Sequence, residues 1–123
     1  EERSVTNVVV DDGLDHIASR LGASSAPTAM SHMAIGSSST AAASADSSLG
    51  TELGRVALTS TTVTNSSVQY IGDFPAGTGT GAITEAGVFN AASLGTLLCR
   101  TTFPVVNKAA GDSIAITWVV TVS

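Results

Sequence analysis

The sequence predicts a mainly β domain, an antiparallel β-sandwich or jelly-roll-like fold with one short N-terminal helix. Several short runs of β-branched and aromatic residues recur with turn residues between them, and only one segment, near the N-terminus, has helical spacing. The repeated helix–strand alternation that is typical of a parallel sheet is missing. At 123 residues the chain is long enough to bury one hydrophobic core but too short for two domains of ordinary size, so residues 1–123 are expected to form a single domain.

The chain begins with a predicted strand. Residues 4–10 are rich in β-branched side chains and end at a pair of aspartates, which is typical of a short strand that leads into a helix. Residues 1–10 are expected to act either as an arm that adds a strand to the sheet of a neighbouring chain or as an edge strand of the domain itself.

A short helix is predicted to follow directly. Asp11 or Asp12 can cap its N-terminus, and Gly22 can supply the left-handed residue after its end. Asp15 and His16 are expected to lie off its apolar face. That face follows from the i, i+3, i+4, i+7 spacing of Leu14, Ile17, Ala18 and Leu21.

The next segment combines a strand with a long loop. Residues 30–36 have enough apolar content for a strand. Residues 36–48 are almost entirely Gly, Ser, Thr and Ala, a composition typical of flexible linkers, whereas Leu49, Glu52 and Leu53 follow with partial helical spacing. We expect an ordered long loop with one helical turn, and no domain boundary.

From Arg55 onward the pattern indicates strands. Residues 68–74 alternate in polarity, and the glycine-rich run 77–81 is expected to form the turn that follows them. Three more strands are predicted over residues 83–89, 95–103 and 112–122. The last has one strongly apolar face, made of Ile114, Ile116, Trp118 and Val120, so it is expected to be a central strand.

Composition excludes two classes of partner. The net charge is -5, and the five cationic residues are scattered singly at Arg3, Arg20, Arg55, Arg100 and Lys108, so no basic stripe is available for nucleic acid. No apolar run approaches the roughly 20 residues that span a bilayer, so no membrane partner is expected. Only 12% of residues are charged, which favours a surface partly covered by neighbouring subunits.

The sequence contains no recognisable catalytic or cofactor motif, so no enzymatic activity, cofactor or metal is expected. The glycine-rich run 77–81 lacks the Lys and Ser or Thr of a phosphate-binding loop, and no serine has a Gly-x-Ser-x-Gly context. His16 and His32 have no further ligands at zinc spacing, and the aspartates near residue 12 are explained by the helix dipole better than by calcium. Cys99 in a predicted strand is expected to be a buried, inert thiol.

Glu85 is the residue that most needs a partner. It lies in the predicted strand 83–89 and is expected to share a face with Ile83, Gly87 and Phe89, toward the core. A carboxylate there is costly unless it is paired. We expect a structural ion pair with Arg100 or Arg55, supported by backbone amides, and we favour this role over that of a general base.

The sequence resembles small structural proteins of tailed bacteriophages. The resemblance lies in MAIGSSSTAAASADSSLGTELGR at 33–55, AITEAGVF at 82–89 and LLCRTTFPVVNKAAGDSIAITWVV at 97–120, and the segment NVVVDDGLDHIASRLG at 7–22 is similar to the entry into such proteins. The resemblance implies a non-enzymatic component of the virion, with other virion proteins, the major capsid or tail proteins, as partners. A homo-oligomer is also expected.

Two placements within the virion stay open. Similar Thr-Glu-Ala-Gly segments occur in tail-fibre and tail-collar proteins, whereas small β-sandwich proteins also serve as capsid cement. The chain has no extended shaft or distal binding domain, which favours a decoration or cement protein or a small adaptor. The alternative is a tail component that binds a receptor or glycan, for which Tyr70 and Phe74 are the expected stacking platform.

Overall fold

The computed structural model describes residues 7–22 and 27–122, which form two antiparallel sheets and one helix near the N-terminus. The predicted mainly β, sandwich-like fold is confirmed. The elements in chain order are β1 Val8–Val9, α1 Asp11–Gly22, β2 His32–Gly36, β3 Glu52–Ala57, β4 Ser60–Thr64, β5 Ser67–Phe74, β6 Gly81–Phe89, β7 Leu97–Lys108 and β8 Ile114–Thr121.

The larger sheet has five strands in the order β1-β7-β6-β2-β3, and the smaller sheet has three in the order β4-β5-β8. Every pairing between neighbours is antiparallel. The glycines of the run 77–81 adopt positive φ angles and form the predicted turn between β5 and β6. Strands β2, β6 and β7 therefore occupy the interior of the larger sheet.

The main core lies between the two sheets. The alternation predicted for residues 68–74 and 114–120 is confirmed, because Tyr70, Phe74, Trp118 and Val120 are buried there. They pack against residues of the larger sheet, including Met33, Ile35, Ile83, Val88 and Cys99.

The outer face of the larger sheet carries a second core. This second core consists of Val10, Ala34, Leu49, Phe89 and Leu97. Those of its members that lie in strands alternate along the chain with residues of the main core. The central strands are thus buried on both faces, which explains the nearly continuous burial of β6 and of the first half of β7. Leu49 comes from the long segment between β2 and β3, so this segment covers the outer face.

The apolar face predicted for the helix is confirmed only at Ile17, which is partly buried and packs against the main core. Leu14 and Leu21 are 55% and 82% exposed, whereas Gly13 and His16 are buried. A Cβ at Gly13 would overlap the Leu98 carbonyl, so the missing side chain lets the helix backbone approach β7 closely. This close approach determines which side of α1 faces the sheet, and the spacing of the leucines does not determine it.

Two further predictions are corrected, and one strand was not predicted from the sequence. The helical turn expected near Leu49 and Leu53 is absent, because Glu52–Ala57 forms β3. The fully exposed β4 has no alternation that could have indicated it. Strand β8 lies at the edge of its sheet and is not central. An apolar face shows that one side of a strand packs against a core. Whether the strand is central depends on how many strands hydrogen-bond to it, and the sequence of the strand carries no periodic pattern that indicates this.

The structure distinguishes between the arm and the edge strand for only part of residues 1–10. Val8 and Val9 pair with Arg100 and Cys99 of β7, and Val10 is fully buried. These residues are an edge strand of the domain itself and not an arm. Residues 1–6, for which the arm was also expected, lie outside the described residues.

Candidate functional site

Glu85 lies near the middle of β6 on the outer face of the larger sheet, and its side chain is 0% exposed. It shares this face with Gly87 and Phe89, as expected. Ile83 belongs to the main core instead, because the pairing of β6 with β7 shifts register between Ile83 and Glu85. The expectation that Ile83 shares the face of Glu85 is therefore wrong, and a register shift is its physical reason.

Four donors surround the Glu85 carboxylate. Oε1 accepts the Gly50 N–H at 2.8 Å and the Arg100 Nε–H at 3.0 Å. Oε2 accepts the Ser38 N–H at 3.0 Å and the Thr51 N–H at 2.8 Å. Each oxygen thus receives two hydrogen bonds, and three of the four come from the backbone of the segment between β2 and β3.

Arg100 continues the network toward the same segment. Its Nη1 donates to Asp46 Oδ2 at 3.0 Å and its Nη2 donates to the Thr40 carbonyl at 2.9 Å. The Arg100 side chain is 2% exposed, so its charge is largely removed from water. Glu85 and the partly exposed Asp46 balance that charge. We call Glu85, Arg100 and Asp46 with their hydrogen bonds the clasp.

The clasp fixes the Ser- and Ala-rich segment 37–51 on the sheet. The Ser37 N–H donates to the Thr51 carbonyl at 2.9 Å, which closes the base of the segment, and the Thr84 hydroxyl donates to the Ser38 carbonyl at 2.9 Å. The Asp11 N–H donates to the Ser44 carbonyl at 2.8 Å and ties the segment to the start of α1. The segment is an ordered loop, as predicted, despite its linker-like composition.

The electrostatics of the clasp keep Glu85 ionised. Burial by itself raises the pKa of Glu85, but the N–H donors of Thr51, Gly50 and Ser38 together with the Arg100 side chain outweigh it. The pKa of Glu85 is therefore below its ordinary value of 4.5. The carboxylate is a saturated acceptor, so it is not suited to take a proton from a substrate at neutral pH.

The lowered pKa predicts how the clasp depends on pH. Because the folded-state pKa is below 4.5, the stability that Glu85 contributes is fully present above that pH and is lost as the pH falls through the folded pKa. The difference in free energy of unfolding between the wild type and Glu85→Gln should be constant from neutral pH to about pH 5 and shrink below it. Urea titrations of both proteins across this range measure the difference, and a gap that widens on acidification would contradict the assignment.

Of the two arginines expected as partners of Glu85, Arg100 forms the ion pair and Arg55 does not. Arg55 lies on β3, at the edge of the sheet, and forms a bidentate pair with Glu52, with distances of 2.7 and 3.0 Å. Its Nη1 donates to the carbonyls of Ala91 and Leu94 at 2.9 and 2.8 Å. The guanidinium also lies 3.8 Å from the centre of the Phe89 ring. Arg55 therefore supports the turn between β6 and β7.

The remaining titratable candidates are placed as follows. Cys99 is buried, as predicted, and burial raises the pKa of its thiol to about 12, so it is protonated at neutral pH. His16 is buried against expectation, and burial, followed by the nearby Arg20, lowers its pKa. His32 Nδ1 lies 2.7 Å from the Ser31 hydroxyl. Among the described residues, no three His, Cys, Asp or Glu side chains are grouped so that they could hold a metal ion.

The sequence did not indicate the backbone donors of Ser38, Gly50 and Thr51 or the carboxylate of Asp46. One signal was available, because Asp46 is the sole charged residue between residues 23 and 51. An isolated charge in a long Ser- and Ala-rich run points to a specific partner. The amide donors left no signal, since every residue except proline has an N–H group.

Comparison of the chain with protein-family models, with curated proteins and with solved structures finds no match. The resemblance to phage structural proteins consequently stays a prediction that rests on the segments quoted above. In the part of the chain that the structure describes, no helix has the length and apolar character needed to cross a bilayer.

Proposed function

We propose that this chain is a non-enzymatic structural protein of a tailed-bacteriophage virion, a capsid decoration or cement protein or a small adaptor. The observation that carries the proposal is the clasp, whose three members lie in three of the segments quoted for the phage resemblance, Asp46 in 33–55, Glu85 in 82–89 and Arg100 in 97–120. Glu85 accepts four hydrogen bonds, all from donors within the chain. Arg100 donates one hydrogen bond each to Glu85, Asp46 and the Thr40 carbonyl. These buried charges hold a loop in place, which supports a structural role.

The loop that the clasp holds is suited to contact with other subunits. Most residues from 39 to 48 are exposed, and they are small or uncharged except for Asp46. A surface of this kind can lie against a neighbouring virion protein without burying unpaired charges. In a particle with many copies, weak contacts of this kind add through multivalency.

The proposal is tested by quantitative mass spectrometry of purified particles of the phage that encodes this chain. We expect the chain to be present at a copy number close to that of the major capsid protein. A copy number close to that of a tail fibre would indicate the tail placement instead, and absence from the particles would contradict a virion protein altogether.

Receptor or glycan binding in the tail is the alternative, and its expected stacking platform is wrong. Tyr70 and Phe74 are buried in the main core, as are Trp118 and Phe89 in their clusters. Phe103 is half-buried and packs against the main core, so none of the aromatic residues, all of which lie in the described part of the chain, is freely exposed. Binding of the purified protein to a glycan array would nevertheless favour this alternative over the cement proposal.

A further inference from the structure

Strand β8 forms one border of the smaller sheet, and β5 is its sole hydrogen-bonded neighbour among the described residues. The strand is eight residues long. Unpaired N–H and C=O groups along a strand of this length are a template for pairing with another strand.

The backbone groups at the open edge can be assigned. Thr121 is paired with Ser67, and the next N–H along, that of Val122, donates to the Ser66 carbonyl at 2.8 Å. N–H and C=O groups of successive residues in an antiparallel strand point to opposite sides. The even-numbered residues therefore bond to β5, and the groups that point away from it belong to Ala115, Thr117, Val119 and Thr121.

The β8 edge lacks the features that prevent pairing. Residues 113–122 contain no Asp, Glu, Lys, Arg or Pro, the residues with which proteins protect a free edge. The border strand β3 of the larger sheet, by contrast, carries Glu52 and Arg55. The other border of the smaller sheet, β4, is also uncharged but only five residues long. Val119 is 50% exposed beside the β8 edge, which adds apolar surface to it.

We propose that β8 pairs antiparallel with β8 of a second copy of this chain about a two-fold axis, which joins the two smaller sheets into one of six strands. A second copy fits this edge because a two-fold interface places the same strand opposite itself, and an uncharged strand does so without bringing like charges together. The net charge of -5 per copy makes two chains repel one another where acidic surfaces meet, so the uncharged β8 edge is a place where they can approach. Pairing satisfies the edge groups of both copies and sets β-branched side chains opposite each other.

This interface goes beyond the proposed function and does not depend on it. A chain that is no part of a virion would have the same open edge, and a decoration protein could be incorporated as a monomer. The two proposals therefore fail separately, one by the copy number in particles and the other by the mass of the isolated protein.

The test compares two lysine variants at exposed β-branched residues on opposite borders of the same sheet. Val119→Lys places like charges near each other across the two-fold axis, and Thr62→Lys puts the same charge on β4. Sedimentation equilibrium of the full chain should show a reversible dimer for the wild type and for Thr62→Lys. The dissociation constant should rise by about tenfold or more for Val119→Lys.

Amide hydrogen exchange of the wild type gives a second measurement that needs no variant. The amides of Ala115, Thr117, Val119 and Thr121 should be protected at concentrations where the dimer forms and exchange quickly on dilution, while those of Val120 and Val122 stay protected throughout. A wild type that is monomeric at all concentrations would overturn the proposal. Fast exchange of the odd-numbered β8 amides in the dimer would also overturn it. If both lysine variants raised the dissociation constant equally, the dimer would instead pair β4 with β8, and the proposal would be wrong.

Discussion

Replacing Glu85 with Gln should lower the free energy of unfolding by about 3–5 kcal/mol, the range for breaking a buried ion pair by changing one partner. The substitution keeps the shape of the side chain but makes one of its two acceptor atoms an NH2 donor. Each Glu85 oxygen accepts two hydrogen bonds, so two donors lose their acceptor whichever way the amide turns. Arg100 also loses its fully buried counter-ion.

The matched control is Glu52→Gln, which changes the other Glu–Arg pair of the described structure. The Glu52 side chain is 34% exposed, so the expected loss is at most about 1 kcal/mol. Urea unfolding followed by the fluorescence of Trp118, the single tryptophan, measures both values. If the two variants lose equal stability, the clasp does not hold the fold as described. Faster hydrogen exchange at Ser38, Gly50 and Thr51 in Glu85→Gln would locate the loss in the loop.

Replacing Gly36 with Ala should destabilise the protein by about 3 kcal/mol, the upper end of the usual cost of overpacking. Gly36 ends β2 and is paired with Glu85 of β6. An added Cβ would overlap the Thr51 carbonyl and lie 2.5 Å from Glu85 Oε2. Neither neighbour can move freely, because the Thr51 carbonyl accepts the Ser37 N–H and the carboxylate is held by four donors. The methyl group would have to separate the loop from the sheet.

Gly111→Ala is the control for this change, because a Cβ at Gly111 meets no heavy atom within 4 Å. Both substitutions reduce the flexibility of the unfolded chain to a similar extent, so their difference isolates the steric effect in the folded state. Thermal and urea unfolding should place Gly111→Ala within about 0.5 kcal/mol of the wild type. A Gly36→Ala protein of equal stability would show that the loop can shift without loss, and would remove the fixed position that we assign to it.

The clasp also explains how a charge-poor chain orders a long loop. Segment 37–51 contains a single large apolar side chain, Leu49, and so buries little hydrophobic surface by itself. Hydrogen bonds to a charged group are stronger than neutral ones, and Glu85 gathers three of them from the loop backbone. One buried carboxylate thereby takes the place of the apolar packing that the Ser- and Ala-rich composition cannot provide.

The sequence by itself determined the features that depend on local pattern. Alternation in residues 68–74 and 114–120 identified the inward faces of β5 and β8, because side chains in a strand alternate between two faces. The cost of burying an unpaired carboxylate indicated that Glu85 needs a cation, and Arg100 was one of two candidates. The glycine-rich turn at 77–81 and the ordered loop followed from similarly local reasoning.

Tertiary structure alone decided everything that depends on which elements meet. It selected Arg100 over Arg55, turned α1 onto Gly13 and His16, shifted the register beside Ile83 and placed β8 at an edge. These outcomes arise from contacts between residues far apart in the chain, and periodicity in one segment carries no information about its neighbour. The backbone amides that hold Glu85 are the clearest case, because an N–H group is common to nearly every residue and acquires a role only when the fold brings it to a carboxylate.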